Sequence, residues 1–392
     1  MNYNNPIPQN ITDRIKLSCG LLFALFCFCY LYCLQNDVLA EAQYVFSNGQ
    51  THYSRFFGAV IITFSLMCVQ YLVERVAHLS GGWYAVTYMP SFVLLMMLTS
   101  LGQQTIEDFT FGSWLWILPL FIVLYALLLR IKTKILGESI VDGDYTMSRY
   151  LWPNMLTLFL MMFVCGINAP ATDVYMYELK AERLILDAEY KAASEVAQKS
   201  IPVSCRLNEL RMYALAKEGQ LGEKLFDYPQ PYGEKSLLML DDTVTRLHRF
   251  TSKNIQESLG AWANDAVKSL DSYLNLLRTH ESTRHNPLLP EYVLCSKLLS
   301  KDMKGFYKSV KVYYNLSDPS NVMNLPKAYR QAMLLQAKSI GRDSLQSFAD
   351  TLMLSEYRGY RELQASDTTQ SVKDGLLRRY YGNTLWWYLD KD

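Results

Sequence analysis

The 392-residue chain carries a formal net charge of +1 and has a mean hydropathy of zero. The averages hide two unlike halves: charged side chains (Lys, Arg, Asp, Glu) are about one in ten of residues 1–170 and about one in four of residues 171–392. The first proportion suits chain dissolved in lipid and the second a solvated domain with its own core, and near-neutrality in both excludes nucleic acid as an electrostatically held partner.

Five uncharged stretches follow in chain order: Leu17–Leu34, Phe56–Val73, Trp83–Leu101, Ser113–Leu129 and Tyr150–Ile167. A helix rising about 1.5 Å per residue needs roughly 20 apolar residues to cross the hydrocarbon of a bilayer, so each is predicted to span, the fourth with least margin. The first reads as an uncleaved anchor, because its apolar core is too long for a signal peptide and no small-x-small site follows it. With the N-terminus inside, the inner segments hold Arg14, Lys16, Arg75, Arg130, Lys132, Lys134 and Arg149, while the outer side holds Arg55, Lys180 and Arg183. That bias predicts a cytoplasmic N-terminus, and five crossings then place the tail in the periplasm of a bacterium. Residues 1–168 are expected to form the transmembrane domain and 169–392 an extracytoplasmic one.

From Asp173 onward apolar residues recur every three or four positions, with breaks near Pro202, Pro229–Gly233, Pro287–Pro290 and Pro319–Pro326, so the whole protein is predicted to be all-α. Ala188-Glu189-Tyr190-Lys191-Ala192-Ala193 resembles the turn of a tetratricopeptide unit. Gly219-Gln220-Leu221 falls in the same phase at a spacing close to one such repeat, and Leu299 through Gly305-Phe306 is a weaker third copy. A single helix pair cannot bury its own apolar face, so such units stack, and the tail is expected to be a degenerate helical repeat or else an irregular helical bundle. The closing segment, Tyr380-Tyr381-Gly382-Asn383-Thr384-Leu385-Trp386-Trp387-Tyr388, either caps the last repeat or lies on the membrane surface.

Four segments carry a resemblance: Asn36-Asp37-Val38-Leu39, Gln50-Thr51-His52-Tyr53, Leu325-Pro326-Lys327-Ala328-Tyr329-Arg330-Gln331-Ala332 and the Tyr-Gly-Asn-Thr ending. With them the chain resembles an uncharacterised family of polytopic membrane proteins from Bacteroidota. The resemblance implies an inner-membrane protein with a tetratricopeptide-like tail and supplies no catalytic residues.

Candidate site residues lie in the loops expected outside. Asp37, His52 and Arg55 offer an acid, a base and an anion clamp, and Gln103, Gln104, Glu107 and Asp108 offer further ligand contacts, although ordinary loop polarity explains them equally. Glu74 and His78, four apart, are too few for a metal and read as a helix-end ion pair beside Arg75; no metal or cofactor is expected. Cys29 and Cys33 share a helical face and read as buried packing, and Cys205 and Cys295 are the only thiols of the tail. No phosphate-binding loop, nucleophile elbow or dinucleotide fingerprint occurs. The leading expectation is therefore an inner-membrane protein, held in the lipid bilayer, whose tail binds another envelope protein or peptide. The alternative is an envelope enzyme acting on a lipid-linked saccharide or lipid, with Asp37, His52 and Arg55 at its site.

Overall fold

A computed structural model describes residues 9–79, 81–100, 112–135, 147–168, 174–198, 203–240, 249–263, 267–316, 323–339, 351–367 and 369–391. These residues contain helices and turns and no strand. The chain divides into two compact units, one essentially Met1–Met176 and the other Tyr177–Val244 with His248–Asp392.

In the first unit α1 (Gln9–Cys29) runs on through a π-turn (Tyr30–Leu34) into α2 (Asn36–Phe46). The other helices are α3 (Arg55–Ala77), α4 (Met89–Thr99), α5 (Trp114–Ile135) and α6 (Met147–Ile167). On α1, Ile15, Cys19, Phe23 and Cys27 recur every fourth residue and are buried, while Leu17, Leu21 and Leu25 on the other face are exposed. α3 buries Ala59, Thr63 and Leu66 and exposes Phe57, Ile61 and Phe64; α6 buries Leu158 and Cys165 and exposes Phe159 and Phe163. The inner faces mix small side chains such as Cys19, Ala59 and Cys165 with Phe23, Leu66 and Leu158, while further large apolar side chains point outward, an arrangement that an apolar solvent favours. Cys29 and Cys33 are exposed, which corrects their expected burial. Cys29 stands about 200° around the helix from Cys27, on the outward face.

The core centres on Phe23, whose ring lies 4.8 Å from that of Tyr88 and 5.0 Å from that of Phe92. Gly81–Tyr88, ahead of α4, is a 3-10 helix. Pro90 in the first turn of α4 has no N–H to donate to the preceding turn, and the tighter winding just before it leaves backbone groups that Asn154 satisfies. Asn154 Oδ1 accepts from the Ala85 N–H at 2.6 Å and Nδ2 donates to the Gly81 carbonyl at 2.8 Å. Among the described residues four segments are long and apolar enough to cross a membrane: Gln9–Leu34, Arg55–Ala77, Gly81–Thr99 and Met147–Ile167. Trp114–Arg130, at the position of the fourth expected span, is a shorter apolar stretch within α5.

The second unit contains most of α7 (Val174–Leu186), then α8 (Tyr190–Ser194), α9 (Cys205–Lys217), α10 (Leu221–Lys224), α11 (Ser252–Leu259), α12 (Leu270–Thr279) and α13 (Glu281–Arg284). There follow α14 (Leu289–Leu299), α15 (Met303–Tyr313), α16 (Lys327–Ser339), α17 (Thr351–Ala365), α18 (Gln370–Tyr381) and α19 (Leu385–Asp390). One turn recurs at all three positions singled out in the sequence. Ala188, Gly219 and Lys301 each adopt left-handed backbone, with φ of 59°, 66° and 60°. After each, the next residue's N–H reaches five residues back: Glu189 to Leu184 O at 2.8 Å, Gln220 to Leu215 O at 2.9 Å and Asp302 to Lys297 O at 2.9 Å. This pairing, with the left-handed residue bonded three back, ends one helix and lets its partner start almost at once. Only the second copy carries the glycine such a backbone favours.

α9 is the buried centre of this unit, enclosed along its whole length from Arg206 to Ala216, polar and charged side chains included. Arg211 Nε and Nη2 donate to the Val196 carbonyl at 3.0 and 2.5 Å, and its guanidinium lies 4.5 Å from the Tyr228 ring. Glu209 accepts from Arg206 Nη1 at 2.7 Å and from the Met239 N–H at 2.9 Å; burial pushes its carboxyl up and Arg206 opposes that. These side chains satisfy the backbone of the loops around them, so α9 fixes loop geometry as well as packing.

Candidate functional site

At the end of the bundle bearing α2, Asp37 sits half-buried in the first turn of that helix and accepts from Asn36 Nδ2 at 3.1 Å. Gln35, Asn36 and Glu41 beside it are buried, and Gln35 Nε2 donates at 3.3 Å to the Tyr30 hydroxyl, which also pairs with Thr99 Oγ1 at 3.2 Å. Arg55 Nε donates to the Tyr32 carbonyl at 2.6 Å and its guanidinium covers the Tyr32 ring at 4.1 Å. His52 is exposed. Asp37 thus lies half-buried beside buried polar residues, while the contacts of Arg55 are with Tyr32. Gln103, Gln104, Glu107 and Asp108 lie outside the described residues.

At the opposite end, Lys16 and Glu74 form an ion pair at 2.7 Å between α1 and α3. Tyr84 donates to Glu74 Oε2 at 2.9 Å, and Gln70 Nε2 bonds both Tyr84 and Thr87. Glu74 therefore has its ion pair across helices, with Lys16, besides a 3.3 Å bond from Gln70 Nε2 on its own helix. His78 takes the left-handed position that ends α3, and Arg75 stacks on Tyr71. Helices that extend beyond the uncharged cores carry both ions to the bundle's end, where a short uncharged window does not register them.

In the second unit, Glu291 opens a buried cluster on α14. Burial pushes its carboxyl up to about 7, against the Leu221 N–H that favours the ionised form, and its Oε2 has no hydrogen-bond partner among the described residues. Cys295, one turn along, lies with its Sγ 3.4 Å from the Tyr329 hydroxyl, and both are fully buried. Burial pushes this thiol upward, so it behaves as a packed hydrophobe and not as a nucleophile. Tyr329 also fills the space over Gly222, where an added Cβ would stand 2.7 Å from its ring. Cys205 and Cys295 are both free.

Ionisation of Glu291 opposes folding, which fixes the sign of a pH effect. The unfolded carboxyl titrates near its ordinary value, so the stability contributed by the neutral acid is complete below that value. It is lost as pH rises through about 7. Allowing for its partial exposure, the loss is on the order of 2 kcal/mol. Glu291→Gln is expected to flatten the fall in unfolding midpoint between pH 5 and 8, measured by thermal unfolding of the full chain in nanodiscs; an unchanged slope refutes the assignment.

A cleft of about 350 Å³ opens between the α10–α11 connection and the last two helices. Its construction begins with the Tyr-Gly-Asn-Thr segment. Thr384 caps α19, and the Leu385 N–H donates to Gln331 Oε1 of α16 at 2.9 Å. Leu385 and Trp386 are buried, with Trp386 5.3 Å from the Tyr357 ring, so this segment docks into the tail's own core. The Tyr388 hydroxyl donates to the Leu299 carbonyl at 2.7 Å, and its ring lies 5.1 Å from Phe226. With those anchors set, Trp387 lines the cleft together with Phe226, Pro229 and Tyr380. Arg378 and Arg379, in the last turn of α18, and Lys391 supply three cations, against the one carboxylate of Asp227. Lys391 Nζ lies 4.9 Å from the Trp387 ring, and among the described residues no carboxylate pairs with any of the three cations. The sequence marks the aromatic run; it does not bring Phe226 and Asp227, which lie far earlier in the chain, against it.

No curated protein and no solved structure matches the chain. Residues 248–392, which include every cleft residue except those at 226–229, match a family of unknown function, DUF6057.

Proposed function

We propose that this is a five-span protein of a bacterial inner membrane, with a cytoplasmic N-terminus and a tetratricopeptide-like periplasmic tail that holds an envelope protein or peptide. The observation that carries this reading is the helix-pair turn repeated at Ala188, Gly219 and Lys301, the first two copies spaced close to the period of that repeat. The outward apolar faces of α1, α3 and α6 support the membrane anchor, and the continuation of α5 to Ile135 supports a fifth crossing. The tail offers a cleft lined by aromatic and cationic side chains, which supports a binding role.

Two measurements test this. A phosphatase fused after Asp392 is expected to be active, as that enzyme matures only outside the cytoplasm; an inactive fusion at normal level refutes the topology. A photoreactive residue in place of Tyr232 or Tyr380, two exposed tail positions, is expected to crosslink in living cells to one envelope polypeptide. If neither position yields a crosslink while Asp37→Asn abolishes the cellular phenotype, the scaffold reading fails.

A further inference from the structure

We propose that the cleft between residues 226–229 and 378–391 receives an acidic segment of the partner polypeptide. A carboxylate would sit among Arg378, Arg379 and Lys391, with an apolar or aromatic side chain against Trp387. The inference rests on the scaffold reading above and names the chemistry of what the tail holds.

Three features select this ligand. Arg378, Arg379 and Lys391 line one cavity, and the two arginines carry the planar forks that fit carboxylates and phosphates. Trp387 has a fixed position, because Trp386 and Leu385 on one side and Tyr388 on the other are anchored in the core, so it presents a rigid face at little entropic cost. Asp227 inside the same cleft decides between anions. An ionised phosphate offers it no donor, whereas a peptide presents backbone N–H donors beside each of its carboxylates and satisfies both signs. The volume of about 350 Å³ lies at the lower end for ligand sites and suits a short segment, not a folded domain.

The test uses the full chain in neutral-lipid nanodiscs and an array of hexapeptides with each position fixed in turn. Enrichment of Asp or Glu next to an aromatic residue is expected, and Arg378→Gln with Arg379→Gln should weaken the selected peptide at least about tenfold. Binding should also fall as salt rises. Both arginines are exposed, so helix content and unfolding midpoint should stay unchanged and report an intact fold. Trp387→Ala provides the second variant: it should weaken aromatic-containing peptides more than their alanine analogues. No acidic preference, or equal binding by the arginine variants, overturns the proposal. So does saturable binding of inorganic phosphate at these arginines without peptide binding, or arginine-dependent binding to phosphatidylglycerol vesicles alone. If the crosslink of the preceding section persists in the arginine variants, the cleft assignment falls while the scaffold reading stands.

Discussion

Replacing Trp386 by Ala is expected to destabilise the second unit by about 3–5 kcal/mol, the range for removing a large aromatic from a closed core. Trp386 is 2% exposed and packs with Leu334, Tyr357, Tyr360 and Leu377, which belong to three different helices. Its loss removes one of the contacts that hold α19 against α16 and α17, beside the Leu385 N–H bond to Gln331. Because Trp387 and Lys391 lie on or just after α19, the cleft should loosen as well. Affinity for an acidic peptide is then expected to fall although Trp386 does not line the cleft. Trp386→Phe is the control: the indole Nε1 has no hydrogen-bond partner among the described residues, so no bond is forfeited and the cost should stay below about 1.5 kcal/mol. Chemical denaturation checks the first figure and hydrogen exchange along α19 the loosening; equal losses for Ala and Phe would refute the packing account.

Arg211→Ala should cost about 3–5 kcal/mol, for a different reason. The guanidinium is 1% exposed, and its partners are the Val196 carbonyl, Asn208 Oδ1 and the Tyr228 ring. Truncation leaves a buried carbonyl without donors and a cavity under the aromatic ring, and the two penalties add. Arg211→Met fills the cavity without restoring the donors, so about half of the loss should return. Arg211→Lys should recover little, because one ammonium cannot reproduce the two parallel bonds to Val196. If chemical denaturation shows full stability for the Lys variant, the bidentate geometry is unimportant and the argument fails. Exchange protection in the loop at 194–198 should fall first, since that backbone is what Arg211 holds.

Four of the five predicted stretches coincide with described segments long and apolar enough to cross a bilayer, and they were legible because that signal is local: an uncharged run needs no partner to be recognised. The turns at Ala188 and Gly219 were legible from their spacing and the one at Lys301 only as a weaker copy; Gly219 alone announced its left-handed backbone by residue type. The Lys16–Glu74 pair was not legible, because its members sit on different helices and Glu74 has nearer charged neighbours in the chain. The cleft was half legible. The aromatic ending stood out, but nothing in sequence joined it to Phe226 and Asp227.

By itself, then, the sequence determined an all-helical chain with an apolar first part and a charged, helix-paired second part, because composition and periodicity depend on each segment's own solvent. Only the tertiary structure decided which face of each uniformly apolar helix turns inward and which ions meet. It also decided that Trp386 is buried while its neighbour Trp387 lines a basic cleft. Those are choices among chemically equivalent residues, and packing against distant segments makes them.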